Sequence, residues 1–180
     1  MPEFEELIDA HYQALYRFAY SLAKNPDAAA DLVQQTFCIW AQKGHQLKDR
    51  SKAKTWLFTS LYREYLAIAR RGQRFVDSSA DDIEYQLPAH QDDNARALDG
   101  KHAIALLGQL DETFRAPLTL FYIQQHSYKE IAEILEVPIG TVMSRISRGK
   151  KQLREKMLTT PSGEVSNVIE LNLNNIENHG

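Results

Sequence analysis

One cysteine, Cys38, is all the thiol this chain carries, so an internal disulfide framework is excluded. No apolar run approaches the roughly 20 residues that a membrane-spanning helix needs. The opening Met1-Pro2-Glu3-Phe4-Glu5-Glu6 is acidic, unlike the basic start of a secretory signal. The six histidines, His11, His45, His90, His102, His126 and His179, show no metal-ligand spacing such as H-E-x-x-H. A G-x-x-x-x-G-K phosphate loop is missing too. These absences argue against an enzyme, a metal site, a cofactor or a small-molecule substrate, and they agree with a cytoplasmic protein. Cys38, beside Phe37 in a helical stretch, reads as a buried, unreactive thiol.

What the sequence does have is charge sorted into blocks. The 180 residues sum to only −3, yet Lys48, Arg50, Lys52, Lys54, Arg63, Arg70, Arg71 and Arg74 lie against only Asp49 and Glu64. A second basic block holds Arg145, Arg148, Lys150, Lys151, Arg154 and Lys156 against Glu155. Between them, Asp77, Asp81, Asp82, Glu84, Asp92, Asp93 and Asp99 face only Arg96. A polyanion senses the local potential within about 10 Å, not the sum over the chain. Two basic surfaces separated by an acidic connector are the expectation.

Hydrophobic spacing predicts helices at 3–24, 28–43 and 53–71. Asn25-Pro26-Asp27 breaks the first from the second, with Asp27 as the expected N-cap, and Gly44 closes the second. Residues 45–53 read as a polar, basic loop. The helical pattern lapses over 73–98, around Ser78-Ser79 and Pro88, where composition supports a solvated linker. It resumes at about 100–109 and 111–125. The tail after Met157 reads as mostly disordered, although Val165–Leu173 alternates enough for a short element against a partner.

The segment Ser127–Met157 carries the sharpest signal. Ser127 and Glu130 form an S-x-x-E capping box, Val137-Pro138 stops the short helix that follows, and a basic helix begins near Ile139. Ala132 is small enough for a close helix crossing, with Val137, Val142 and Ile146 wedged between. Thr141, Ser144, Arg145, Arg148 and Lys151 then form a polar face suited to reading a major groove. The fold class is therefore all-α: two small helical domains joined by a flexible acidic linker, the second a helix-turn-helix. The divisions fall at 1–75, 76–98, 99–157 and a tail 158–180. The bland alternative, a hairpin whose basic face merely meets water, is outweighed by the agreement of cap, turn and apolar spacing.

These residues also carry a resemblance. Ser127-Tyr128-Lys129-Glu130-Ile131-Ala132-Glu133-Ile134-Leu135, Val137-Pro138-Ile139-Gly140-Thr141-Val142 and Ser144-Arg145 closely resemble region 4 of the extracytoplasmic-function (ECF) class of bacterial sigma factors. Leu110-Asp111-Glu112 and Leu118-Thr119-Leu120-Phe121-Tyr122 are similar to its start. Asp31-Leu32-Val33-Gln34-Gln35-Thr36-Phe37, Trp56-Leu57-Phe58 and Arg70-Arg71 resemble region 2 of the same class. The resemblance covers about 4–74 and 100–157. It implies a non-catalytic subunit that binds core RNA polymerase, recognises promoter DNA and, in many members, is held by an anti-sigma factor. It assigns Asp31, Leu32, Gln34, Gln35 and Phe37 to the polymerase clamp. Lys48, Arg50, Lys52, Lys54, Trp56, Arg63, Arg70 and Arg71 go to the minus-ten element, and Thr141, Ser144, Arg145, Arg148 and Lys151 to the minus-thirty-five element. Trp56, Phe58 and Tyr62 are candidate aromatic partners for unpaired bases, although Trp56, as a tryptophan in a helix, reads more readily as core. By the same analogy the acidic linker occupies a basic channel meant for RNA.

The sequence departs from the class in places. Glu136 stands where glycine is usual in the turn, and a left-handed backbone there costs a non-glycine residue about 1 kcal/mol. Met143 replaces a common lysine, Gln35 a usual acid, and Tyr62-Arg63-Glu64 a more usual Ala-Arg-Asn. The rival reading is a stand-alone helix-turn-helix regulator, which has no need of the Asp31–Phe37 motif. A helical adaptor that binds only protein is the third.

Overall fold

A computed structural model describes residues 2–72 and 105–159. The proposed linker, the start of the helix expected at 100–109 and all but the first two residues of the proposed tail lie outside that range. All regular structure among the described residues is helical: α1 (Pro2–Ala23), α2 (Pro26–Lys43), α3 (Ala53–Arg70), α4 (Glu112–Leu118), α5 (Tyr128–Leu135) and α6 (Ile139–Thr159). A helical turn at 105–108 precedes α4, and one π-helical turn, Thr119–Ile123, extends it.

The first three helices pack around Leu15, Phe18, Leu32, Val33, Leu57, Phe58 and Leu61, all at most 1% exposed. Each such side chain contributes about 1.5–3 kcal/mol by leaving water. Asn25, not Asp27, caps α2: its side chain accepts from the Ala28 N–H at 3.0 Å. Pro26 supplies the fixed first helical residue, so the cap falls two positions earlier than the carboxylate suggested. Gly44 ends α2 as expected, its N–H bonding the Trp40 carbonyl. A Cβ there would sit 2.6 Å from the Trp40 ring, so glycine lets the indole close down. The loop after it is more ordered than its polarity suggested. It holds two short helical turns, Gly44–Gln46 and Arg50–Lys52, the second started by Asp49, which accepts from the Ser51 N–H and hydroxyl. Those two bonds hold the exposed Asp49 carboxyl below its ordinary range.

The second group of helices encloses Leu118, Leu120, Ile131, Ile134, Val142 and Ile146. A close approach falls at Gly149, while Ala132, expected at a close crossing, is half-buried. A Cβ on Gly149 would lie 2.6 Å from Leu118 Cδ1 and 3.1 Å from Phe114 Cβ. Helix α6 thus rests directly on α4. Gly149→Val is expected to destabilise the protein by about 1–3 kcal/mol through overpacking; a thermal or urea midpoint at or above the wild-type value would show that the crossing has slack.

Candidate nucleic-acid and polymerase interface

The helix-turn-helix forms as its sequence indicated. The Ser127 hydroxyl accepts from the Glu130 N–H at 3.2 Å, and the Glu130 carboxylate accepts from the Ser127 N–H at 2.8 Å. Glu136 takes the left-handed conformation at φ 55°, ψ 45°, and its N–H closes on the Ala132 carbonyl. The chain keeps the turn geometry that glycine would adopt freely and accepts the small strain.

On α6 the buried row is Val142, Ile146, Gly149 and Leu153. Opposite it, Gly140, Met143, Ser144, Ser147, Arg148 and Lys151 are exposed. Of the expected groove readers, Ser144, Arg148 and Lys151 therefore stand on the open face. Thr141 and Arg145 are half-buried on its flank, and the Arg145 charge is felt by the Tyr62 phenol of α3. Ser144 donates its hydroxyl proton to the Thr141 carbonyl at 3.1 Å, leaving its oxygen to accept. Met143, singled out above for replacing a common lysine, and Ser147 were not counted among the groove readers. Projecting α6 at 100° per residue would have found them.

On α2, Asp31, Gln34 and Gln35 form an exposed row, as the i, i+3, i+4 spacing required. Leu32 and Phe37 do not join it. They are 1% and 6% exposed and belong to the core. Cys38, expected to be buried, is exposed on the same side as the polar row; the core-facing aromatic is its neighbour.

The basic region divides similarly. Lys48, Arg50, Lys52, Arg63, Arg70 and Arg71 are exposed. Arg50 lies over the Trp40 ring at 5.7 Å, and Trp40 meets Trp56 edge-on at 5.0 Å. Trp56 is half-buried, so it is partly core and partly wall. It lines an open groove of about 450 Å³ together with Lys43, Lys52, Arg63, Glu64 and Glu133. Phe58, by contrast, is fully buried and is no platform for a base.

The reason is that α3 is also packed by the second group of helices. Phe58 meets the His126 ring edge-on at 4.7 Å. Lys54 donates to the Gln124 carbonyl at 3.0 Å, and the Gln124 amide donates to the Ala14 carbonyl at 3.1 Å. The Tyr65 hydroxyl donates to Glu112 at 2.6 Å, which with burial pushes the phenol's pKa well up. Arg63 is held in an ion pair by Glu136, its Nε 2.7 Å from Oε1. Two cations assigned to DNA, Lys54 and Arg63, thus lie in a seam between the helical groups. Among the described residues no cluster of histidine, cysteine or carboxylates is arranged to hold a metal, and no helix is long and apolar enough to cross a membrane.

Comparison with known proteins adds to this geometry. Residues 7–75 match Sigma-70 region 2, and residues 103–153 match Sigma-70, region 4. The ECF RNA polymerase sigma factor SigE of Mycolicibacterium smegmatis is 35% identical over 163 residues, covering 86% of this chain and 62% of SigE. SigX of Bacillus subtilis, also an ECF sigma factor, is 30% identical over 166 residues, covering 86% of this chain and 83% of its own length. This chain belongs to the ECF class of sigma factors. A sigma factor of Bartonella quintana, RpoE, solved in complex with the anti-sigma factor NepR, superposes with a TM-score of 0.70 at 28% identity. The match covers 88% of this chain and 99% of RpoE. Sigma factors bind core RNA polymerase and recognise promoter DNA, and this sigma factor carries both regions in the class order. Nothing in these matches favours a stand-alone helix-turn-helix regulator.

Among the described residues of this sigma factor, His126 is a buried histidine packed against α3. It is 2% exposed and its Nε2 has no hydrogen-bond partner among the described residues. Burial, then the nearby Lys54 charge, lower its pKa to about 4, against the pull of Glu130, 3.6 Å away. Neutral His126 is what the packed state accepts. Its contribution is full above pH 6.5 and is lost as the pH falls from there towards 4. The lowered Glu130 carboxyl, held first by the Ser127 backbone, loses its contribution in the same direction. The thermal midpoint of the wild type should therefore drop more between pH 7 and pH 4.5 than that of His126→Gln. Equal drops would mean the imidazole is not the titrating group.

Proposed function

We propose that this sigma factor is a non-catalytic, cytoplasmic promoter-specificity subunit in which α6 enters the major groove of the minus-thirty-five element. The carrying observation is the open face of α6, where Ser144, Arg148 and Lys151 stand opposite the buried Val142, Ile146 and Leu153. Hydroxyls near the start of a groove helix suit base edges, and cations further along suit phosphates. Arg145 reaches a base edge from the flank once Tyr62 has moved away. In region 2, Lys48, Arg50, Lys52, Arg70 and Arg71 hold the minus-ten backbone, and Trp56 offers one edge of its ring to an unpaired base in the groove beside Lys43. The exposed row Asp31, Gln34 and Gln35 meets the polymerase clamp.

Promoter binding and the seam compete for the same side chains. Arg63 cannot pair with Glu136 and with a phosphate at once, and Lys54 cannot reach DNA while it holds Gln124. The packed arrangement is on this reading the resting one, and docking on the polymerase separates the two regions. By likeness to the Bartonella complex, an anti-sigma factor is a partner that would keep them from the polymerase.

Run-off transcription with purified core polymerase over a promoter library tests the assignment: defined start sites are expected, and DNA binding without any polymerase-dependent initiation would overturn it. Arg145→Ala is expected to weaken upstream-element recognition by about 1–3 kcal/mol at one position of the site; uniform loss on every sequence would make Arg145 a phosphate contact. Glu136→Gln removes an exposed carboxylate worth no more than about 1 kcal/mol. Because that pair must break on docking, the variant should bind core polymerase up to about fivefold more tightly at low salt, and unchanged affinity would show that the Arg63–Glu136 pair does not hold the resting arrangement.

A further inference from the structure

Three large apolar side chains are exposed among the described residues, and two of them are neighbours: Ile139, 49% exposed, and Met143, 51% exposed. Single exposed hydrophobics are ordinary. This pair is not scattered, because positions i and i+4 lie one above the other on a helix. The row they begin continues into Ser147, and the adjacent row is Gly140, Ser144, Arg148 and Lys151. The apolar pair therefore borders the cationic face and occupies the end of α6 that leads into a groove.

Gly140 sharpens the placement. A Cβ there would meet nothing within 4 Å, so packing within the protein does not demand a glycine. Its missing side chain leaves the flank of Met143 and Ser144 open to a close surface. Charge complementarity identifies that surface as a polyanion, since Arg148 and Lys151 follow on the same side. In a DNA major groove the apolar feature on the base edges is the thymine 5-methyl group, and apolar side chains are what contact it.

We infer that Met143, flanked by Ile139, is a specificity-determining residue that reads thymine methyl groups in the upstream promoter element. The inference rests on the reading of α6 as the groove helix. Methionine suits the role because its unbranched, polarisable side chain adapts to the methyl position without demanding one rotamer. Ser144 beside it presents an oxygen lone pair, its proton being held by the Thr141 carbonyl, so an amino group on a neighbouring base is its complement. Met143 and Ser144 together would then distinguish a methyl-bearing pair from its neighbour by one apolar and one accepting contact.

The test uses reconstituted holoenzyme, full-length chain with core polymerase, on a promoter defined by run-off transcription. Each thymine of the upstream element is replaced singly by deoxyuridine, which removes the methyl and nothing else. Wild-type holoenzyme should lose about three- to fivefold in affinity at one or two positions, the value of one buried methyl-sized group. Met143→Ala should show no loss at those positions while still discriminating ordinary base-pair changes elsewhere. Met143→Lys should behave as Met143→Ala towards deoxyuridine and steepen the salt dependence. Both side-chain changes lie on an exposed face, and an unchanged thermal midpoint confirms that they fold. A wild-type profile indifferent to deoxyuridine, or one that Met143→Ala reproduces, overturns the inference even if base-pair changes in the element still matter; an apolar pair reserved for a protein partner would give that result. Indifference to every base-pair change in the element would instead sink the groove-helix reading itself.

Discussion

Phe58 lies where two packings meet. From one side Phe18 holds it at 5.5 Å within the region 2 core, and from the other His126 closes on it at 4.7 Å. A fully buried aromatic shared between two cores makes α3 the common wall of the molecule. The hydrogen bonds around it, Lys54 to Gln124 and Tyr65 to Glu112, then follow, because polar groups brought to a buried seam need partners. The seam is not uniformly satisfied. Arg115, 6% exposed, has no hydrogen-bond partner for Nε and Nη1 among the described residues, and its charge is felt at the Tyr65 phenol. A buried guanidinium left short of acceptors opposes the packing that buries it. The seam thus combines apolar attraction with a built-in reluctance, which suits a contact made to be exchanged for another.

Much of this was legible in the sequence. The S-x-x-E box, the Pro138 stop and the spacing of Val142 and Ile146 specify the helix-turn-helix locally, and local rules settle such features. The exposed row of α2 followed from helical geometry alone. One failure came from an environment set by chain far away. Phe58 looked like a stacking platform because it stands among basic residues, yet its surroundings come from position 126. Leu32 and Phe37 fell within the matched motif, which does not separate side chains that build the helix from those that meet a partner. Cys38 was judged by its neighbour in sequence, while its direction is fixed by the helix turning 100° between them.

Glu136 shows how the two levels interact. Its left-handed backbone was foreseeable from its place in the turn, but the use of its carboxylate was not, because Arg63 is 73 positions away. With glycine in that position the turn would relax and Arg63 would lose its partner. One side chain thus couples local strain to the arrangement of the whole chain, and the same substitution affects both.

The outward thiol on α2 has a practical consequence. It is the sole sulfhydryl in the protein and stands next to the polar row formed by Asp31, Gln34 and Gln35. An environment-sensitive dye attached there would report whether that surface becomes covered, in the natural sequence and without any engineered handle, so that encounter with a large partner could be timed apart from any event at the DNA.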